Sequence, residues 1–230
     1  MNLLAIDCAT NACSAALWLN GKPGPARHAV MRRGHAEALM PMVAGVMQEA
    51  GLDFAGLRAV AVTTGPGAFT GIRIGLSAAR GFALATGLPV IGITTLEAVA
   101  AAQDSAGRPL LVALDSKRED IYLQLFDAAG APLCGPCAKL PEEAGAMLPV
   151  GETVAVAGDM ADLLMRALAG HRPPLARLAG PDLPDATVVA RIAAARYAAA
   201  PPPPDAPPPA ALYLRPPDAI PLAERKAAAP

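Results

Sequence analysis

The sequence predicts an α/β fold built from two half-domains that repeat one unit. Two apolar runs, residues 3–6 and 110–114, each end at an aspartate and are each followed by a turn and a second strand. After the first hairpin, strands alternate with helices, which is typical of parallel pairing in a sheet flanked by helices. We therefore expect a mixed sheet in each half and a cleft between the halves. The second half has fewer predicted helices and more proline and glycine, so we expect a degenerate copy.

The first half is expected to cover residues 1–104. Its predicted elements are a hairpin over 3–6 and 14–19, a helix over 35–51, a strand over 59–62, a helix over 72–86, a strand over 90–92 and a helix over 96–103. The first helix shows apolar residues at helical spacing, and Pro41 inside it is expected to mark its start or to kink its first turns. The strand over 59–62 is apolar throughout, as expected for a strand buried on both faces.

The second half is expected to cover residues 105–200, with a proline-rich tail over 201–230. Its predicted elements are strands over 110–114, 121–126 and 154–158 and helices over 159–169 and 188–199. In the tail, the run PPPPDAPPP at 201–209 can form neither a helix nor an inner strand, and we predict an extended polyproline segment. The last residues, 227–230, are expected to be loosely held.

The composition bears on partners and location. The chain has 230 residues, with 19 Lys plus Arg against 20 Asp plus Glu and a formal charge of −1. Proteins that grip nucleic acid directly usually carry a basic excess or face, so we expect only indirect contact with nucleic acid. No apolar run reaches the roughly 18 residues that a membrane span needs. The N-terminus is typical of a first strand rather than a signal peptide, and we expect a cytoplasmic protein without membrane contact.

The segment GPGAFTG at residues 65–71 lies between a buried strand and a helix start. Backbone amides at such a place can face an anion. The segment is not a Walker A loop, because no lysine follows Gly71, and it lacks the third glycine of the dinucleotide pattern, since Thr70 stands there. Two interpretations stay open: an anion-binding loop, or a tight turn in which Thr70 caps the helix.

Asp7 and Asp115 end apolar strands at matching places in the two halves. A carboxylate at a strand end can reach a cation in a cleft. Aspartate is also common in turns after strands, so the pair is consistent either with an inherited cation–phosphate site or with two turn residues.

Four cysteines are too few and too irregularly spaced for a secreted disulfide scaffold. Cys134 and Cys137 form a CGPC sequence, but redox chemistry of the thioredoxin type needs the first cysteine at a helix N-terminus. A zinc site would need two further ligands at motif spacing. We therefore predict a loop here. The sequence also lacks HExxH and GxSxG motifs.

The two predicted helices of the first half carry faces that suit a helical partner. The helix over 72–86 has small residues on one side, which lets another helix approach closely. The helix over 35–51 has an apolar stripe and three methionines, at positions 40, 42 and 47, which suit an adaptable contact. Packing on the chain's own sheet is the alternative use of these faces.

Three stretches resemble a known family: LAID at 4–7 with Thr10 and Cys13, residues 35–41, and GPGAFTGIRIG at 65–75. Two weaker matches are ALD at 113–115, with Tyr122, and YLR at 213–215. Together they make the chain similar to the TsaB (YeaZ) family over nearly its whole length. The resemblance implies an actin-like (ASKHA) duplicated fold.

The resemblance also implies a function. Members of this family are non-catalytic partners and activators of TsaD, which transfers a threonylcarbamoyl group to an adenosine of tRNA. A TsaE-like ATPase belongs to the same system. The resemblance therefore implies a TsaD-like partner, only indirect contact with tRNA, and no cofactor. The related catalytic subunit has a metal-binding histidine pair at positions that match Thr95 and Val99 here, with Glu97 between them. Neither residue can replace an imidazole, so we expect neither catalysis nor a metal site.

These considerations yield two sets of candidate residues. The candidate nucleotide cleft, expected to be vestigial, comprises Asp7, Thr10, Gly65, Gly67, Thr70 and Asp115. The candidate partner interface comprises His35, Leu39, Met42, Val43, Val46, Met47, Ile74, Ala78 and Phe82. Without its partner, the same face is expected to form a homodimer. Two alternative functions stay open: an actin-like phosphotransferase that uses the cleft residues, and a glycoprotease-type metallopeptidase.

Overall fold

The computed structural model describes residues 1–203 and 206–215, which form two five-stranded sheets. The strands of the first sheet are β1 (Leu3–Asp7), β2 (Ala12–Leu19), β3 (Lys22–Val30), β4 (Ala59–Thr63) and β5 (Val90–Ile93). The strands of the second sheet are β6 (Leu110–Asp115), β7 (Ile121–Phe126), β8 (Cys137–Lys139), β9 (Ala155–Ala157) and β10 (Ala176–Arg177). The spatial orders are β3-β2-β1-β4-β5 and β8-β7-β6-β9-β10.

The two sheets repeat one topology. In the first, β1 is antiparallel to β2 and parallel to β4; in the second, β6 is antiparallel to β7 and parallel to β9. Asp7 and Asp115 end the corresponding strands β1 and β6. The predicted duplication and the predicted mixed sheets are therefore confirmed.

Within the part of the chain that the structure describes, the sheets are flanked by five α-helices: α1 (His35–Glu49), α2 (Phe69–Thr86), α3 (Thr95–Ala101), α4 (Ala161–Ala167) and α5 (Ala186–Ala199). Between β8 and β9, a 3-10 helix, Pro141–Met147, stands where the first half has α1 between β3 and β4. The second half thus keeps the strands and shortens the helices, as expected of a degenerate copy.

One helix from each half packs on the sheet of the other half. Val189 and Ala193 of α5 pack with Leu3 of β1 in a core cluster of the first sheet. Leu96 of α3, which follows the first sheet, packs with Val112 of β6 in a core cluster of the second sheet. Because each sheet is covered by a helix from the other half, apolar burial holds the two halves together.

Helices α1 and α2 cover the opposite face of the first sheet. Leu39 and Val46 of α1 share a core cluster with Ile6 of β1. On α2, the buried Gly75 faces β4, and an added Cβ would lie in van der Waals contact with a methyl group of Val62, at 3.4 Å. Small residues on α2 therefore let the helix pack tightly on its own sheet, which is one of the two uses that the sequence left open.

Three local predictions differ from the structure. α2 begins at Phe69 after Ala68, so Thr70 lies in the first turn of the helix and the prediction that it caps the helix is wrong. Strand β3 was not predicted, because it is largely exposed and contains Pro23, yet an edge strand tolerates proline. The CGPC segment is not wholly a loop, since Cys137 begins β8.

The helix over 35–51 is confirmed as α1, which begins at His35 and contains Pro41, so the expectation that Pro41 marks its start is wrong. Residues 201–203 and 206–209 adopt neither helix nor strand. Residues 227–230, predicted to be loosely held, lie outside the described residues. No helix among the described residues combines the length and the apolar character needed to cross a membrane.

Candidate functional site

Asp7 lies at the end of β1 and is fully buried. One carboxylate oxygen, Oδ1, accepts hydrogen bonds from the Thr63 hydroxyl at 2.6 Å and from the Ala9 amide at 3.1 Å. The other oxygen, Oδ2, is buried without a hydrogen-bond partner among the described residues. Burial raises the pKa of Asp7 to about 7, against the lowering effect of these two hydrogen bonds. The group is therefore neutral over part of the physiological pH range.

The glycine-rich loop, the GPGAFTG segment at residues 65–71, packs directly on the turn between β1 and β2. The Ala68 amide donates to the Ala9 carbonyl oxygen at 2.7 Å. A Cβ added to Gly67 would lie 2.1 Å from that same oxygen, and one added to Gly71 would lie 2.0 Å from the Cys8 carbonyl oxygen. Both positions therefore require glycine for close backbone approach. At least one amide of the loop is thus used in packing on the turn.

The two candidate threonines, Thr10 and Thr70, differ in solvent exposure. Thr10, in the β1–β2 turn, is buried, and its hydroxyl has no hydrogen-bond partner among the described residues. Its carbonyl oxygen accepts from the His35 ring nitrogen Nε2 at 2.9 Å, so His35 ties the start of α1 to the turn. Thr70, in contrast, is exposed on α2.

Lys117 joins the turns of the two halves. Its ammonium lies 2.6 Å from a carboxylate oxygen of Asp115 and 3.1 Å from the side-chain oxygen of Asn11 in the β1–β2 turn. The Asp115 amide donates to Asp159 at 2.9 Å, and burial raises the pKa of Asp159. The chain thus supplies its own cation beside Asp115, between the two hairpin turns.

A polar cavity of about 630 Å³ opens beside this lysine. Its lining includes Lys139, Asp120 and Arg215. Among the described residues, no group of three or more His, Cys, Asp or Glu side chains is placed to hold a metal ion.

The positions that match the metal-binding pair face inward. Thr95 is fully buried, its amide donates to the Gly65 carbonyl at 2.9 Å, and its hydroxyl finds no hydrogen-bond partner in the described part of the chain. Val99 is fully buried in the core cluster of the second sheet. Glu97 pairs with Arg196 of α5 through two contacts of 2.5 and 2.7 Å. The start of α3 thus serves the packing between the halves.

The segment 206–215 crosses from the first half to the second. The Leu212 amide donates to the Thr64 carbonyl at 2.8 Å, next to the glycine-rich loop. The Tyr213 ring lies 5.2 Å from the ring of Phe69, and Arg215 pairs with Asp120 of the second half. From the sequence, this segment is predicted to be part of a proline-rich tail. The signal available was the YLR sequence at 213–215, which places an aromatic and a cationic residue after the prolines.

Four residues of the candidate partner interface are core residues instead. Leu39, Val43, Val46 and Met47 are between 0 and 6% exposed and pack against the first sheet. The stripe on α1 was detected correctly, but it faces the chain's own sheet, so these four side chains cannot form a partner surface. That part of the prediction is corrected.

The other interface candidates lie at the surface. Met42, Ile74, Ala78 and Phe82 are partly exposed side chains that border the same core cluster. The ring of Phe82 lies 5.0 Å from the ring of Phe54. Met40 on α1, one of the methionines that the sequence indicated as suited to an adaptable contact, is 50% exposed, and Leu84 on α2, which was not predicted, is 91% exposed. An interaction surface is marked by exposed apolar side chains that form one patch, so these residues are candidates for such a surface.

Comparison with known proteins yields a consistent set of relatives. The sequence profile of the family described as TsaD, tRNA N6-adenosine threonylcarbamoyltransferase, matches residues 29–171. The tRNA threonylcarbamoyladenosine biosynthesis protein TsaB of Escherichia coli is 39% identical over 124 residues, which are 53% of each chain. The aligned part therefore spans about half the length of this relative. An uncharacterised protein of Mycobacterium tuberculosis is 34% identical over 227 residues, which cover 96% of this chain and 95% of that protein.

A solved structure extends the similarity to the whole fold. A Pseudomonas aeruginosa protein, described as uncharacterised with similarity to peptidase YeaZ, superposes with a TM-score of 0.78 at 27% identity. The superposition covers 93% of this chain and 99% of that one. With the duplicated sheet topology, this agreement confirms the expected actin-like fold class.

Proposed function

Because the chain belongs to the TsaB (YeaZ) family, we propose that it takes part in forming threonylcarbamoyladenosine in tRNA, as a non-catalytic partner and activator of a TsaD-like transferase. The observation that carries this proposal is the surface formed by α1 and α2. There Met42 and Ile74 border the core while Met40 and Leu84 are largely exposed. Apolar side chains of this kind contribute most when a partner removes them from water.

The absence of catalysis in this proposal is supported by the side chains at the start of α3. Thr95 and Val99 occupy the positions that match the metal-binding histidine pair of the related catalytic subunit, and both are fully buried. A valine has no donor atom and a neutral threonine hydroxyl is a weak ligand. The transfer chemistry would then belong to the TsaD-like partner.

The proposed part in tRNA modification does not require that this chain grip RNA. Its formal charge is −1, so it lacks the cationic excess that phosphate binding favours. We propose that the TsaD-like partner makes the main contact with tRNA and that a TsaE-like ATPase acts on the assembled pair in the cytoplasm.

The test uses the purified chain and the purified TsaD-like protein of the same organism. We expect light scattering to detect a heterodimer at micromolar concentration. Ile74→Glu and Met42→Glu should each weaken the complex at least tenfold, because each places a charge in an apolar contact. Val150→Glu is the matched control, since Val150 is fully exposed in the second half and should leave binding unchanged. Circular dichroism would verify that each variant is folded.

The activating role needs a separate readout. In a mixture that supplies threonylcarbamoyl-adenylate, the TsaE-like ATPase and tRNA, modification should require this chain and should fall with the same two variants. No complex with the wild-type chain, or full tRNA modification in its absence, would contradict the proposal.

We propose the same surface for self-association when the partner is missing. The scattering mass of the chain alone should rise with concentration, and Ile74→Glu should keep it at the monomer value. A wild-type chain that stays monomeric at all concentrations would contradict this.

A further inference from the structure

The β1–β2 hairpin ends in a pair of opposed cysteines. The register pairs Ile6 with Ala15 and Asp7 with Ser14, so its continuation by one residue sets Cys8 opposite Cys13. The two sulfur atoms lie 3.6 Å apart, and both residues are fully buried. No role in the proposed function uses these thiols.

We propose that Cys8 and Cys13 are a redox modification site that forms a reversible cross-strand disulfide. Directly opposed residues of an antiparallel pair have Cα atoms about 4.5 to 5.5 Å apart. That separation lies within the range of about 4.4 to 6.8 Å that a disulfide spans. The sulfurs must therefore approach by about 1.5 Å, which side-chain rotation can supply while the strands keep their places.

The contact between the sulfurs prepares one of them for attack. Either sulfur can donate in this contact. With Cys8 as the donor, the hydrogen bond stabilises the Cys13 thiolate and lowers the pKa of Cys13, while the same bond and burial raise the pKa of Cys8. Cys13 is thus the better nucleophile of the pair.

With a peroxide as oxidant, the atoms and electrons balance in two steps. The Cys13 thiolate attacks one peroxide oxygen, the O–O bond breaks, and the departing hydroxide takes a proton to become water. Cys13 is then a sulfenic acid. The Cys8 sulfur attacks the Cys13 sulfur, the S–O bond breaks, and a second water leaves with the Cys8 proton. Two thiols are oxidised and one hydrogen peroxide is reduced to two waters, and a small thiol reverses the change by exchange.

The two cysteines flank a turn that several other elements contact. Between the two cysteines, three residues accept hydrogen bonds from other elements. The Ala9 carbonyl accepts from the Ala68 amide, and the Thr10 carbonyl accepts from the His35 ring. The side-chain oxygen of Asn11 accepts from Lys117. A disulfide at the base of this turn would restrict all three contacts at once. Because both thiols are buried, reaction in the folded chain requires local opening of the turn, so we expect slow oxidation and equally slow reduction.

The test starts from a Cys134→Ser/Cys137→Ser background, which leaves only the proposed pair. The folded protein is treated with hydrogen peroxide, denatured with excess alkylating agent and digested with trypsin. Cleavage after Lys22 is blocked by Pro23, so residues 1–27 form one peptide that contains both cysteines. We expect this peptide to lose about 2 Da and to carry no alkyl group, and to regain two alkylation sites after thiol treatment. Adding Cys8→Ser should abolish the loss.

A second measurement separates the fold's contribution from simple proximity in sequence. The measurement uses glutathione buffers with graded ratios of reduced to oxidised glutathione. The pair in the folded chain should be half-oxidised at a ratio at least about tenfold more reducing than the ratio that half-oxidises the pair in urea. A peptide that keeps two alkylated cysteines or carries sulfinic acid after peroxide treatment would overturn the proposal. Equal midpoints in the folded and unfolded chains would also overturn it.

Discussion

At the residue scale, Asp7 shows how burial has changed a carboxylate that an actin-like fold places at a strand end. Thr63 and Ala9 satisfy only one of its oxygens. The residue was identifiable in the sequence because it ends an apolar strand. Its full burial was not, because burial depends on the glycine-rich loop that closes over the same turn.

The raised pKa of Asp7 makes stability depend on pH in a defined direction. An acid whose pKa is about 7 when folded and about 3.8 when unfolded binds its proton more tightly in the folded chain. Its contribution is therefore fully present below about pH 4 and is lost as pH rises through 7. We expect the difference between pH 5 and pH 8 to be about 2–3 kcal/mol.

Asp7→Asn should remove this dependence, because a neutral amide keeps the acceptor for Thr63 and has no proton to lose. Urea unfolding at pH 5 and pH 8 measures the effect. The free energy of unfolding of Asp7→Asn, measured relative to that of the wild type, should be higher at pH 8 than at pH 5. Glu152→Gln, at an exposed position, is the control and should follow the wild-type dependence. Parallel pH profiles for wild type and Asp7→Asn would refute the assignment.

At the element scale, α2 contains two glycines with opposite requirements. A Cβ at Gly71 would lie 2.0 Å from the Cys8 carbonyl oxygen, whereas a Cβ at Gly81 meets nothing within 4 Å. The first glycine permits the helix to rest on the β1–β2 turn, and the second only lowers helix propensity.

Gly71→Ala should therefore destabilise the chain by about 2–4 kcal/mol, since either the helix or the turn must move. Gly81→Ala, in the same helix, should stabilise it by about 0.5–1 kcal/mol. Denaturant unfolding of the two variants gives the comparison directly. If both substitutions change the free energy of unfolding in the same direction, the close packing of Gly71 on the turn is contradicted.

The apolar stripe of α1 could be predicted from the sequence, but the surface that covers it could not. Periodicity located the stripe that contains Leu39 and Val46, because spacing along a helix is a local property. It did not reveal that the stripe covers the first sheet, since amphipathicity identifies a face that must be buried and not the surface that buries it. The partly exposed residues beside the stripe, such as Met42, remain the predicted partner contacts.

At the scale of the whole molecule, the two halves are joined by three kinds of contact. Helices α3 and α5 are exchanged between the sheets, Lys117 spans the two hairpin turns, and the segment 206–215 ends at Asp120 in the second half. The exchanged helices bury apolar side chains and add the Glu97–Arg196 ion pair, whereas Lys117 and Arg215 contribute polar contacts. Lys117 and Arg215 are partly exposed and lie outside the core clusters, so changes there should alter how the halves are held without dismantling either core.

Arg215→Ala tests the last of these contacts. It would leave the Asp120 side chain, which is 11% exposed, without its cation, and we expect a loss of about 1–3 kcal/mol. Arg27→Ala breaks an exposed pair with Glu49 and is the matched control, expected to change stability by less than about 1 kcal/mol. Hydrogen exchange should show faster exchange of the Leu212 amide in the Arg215 variant alone. Equal effects of the two variants would argue against a bridging role for the segment.

The sequence by itself determined the duplicated α/β unit, the hairpin at each start, and the aspartates that end β1 and β6. These features depend on residues close together in the chain, where alternation, helical spacing and turn residues suffice. Only the tertiary structure decided which surface covers the apolar stripe of α1, how closely the glycine-rich loop packs on its turn, and that Lys117 and Arg215 bridge the halves. Those outcomes depend on which surfaces meet across long sequence separations, and apolar burial, which is non-directional, leaves that choice to the packing of the whole molecule.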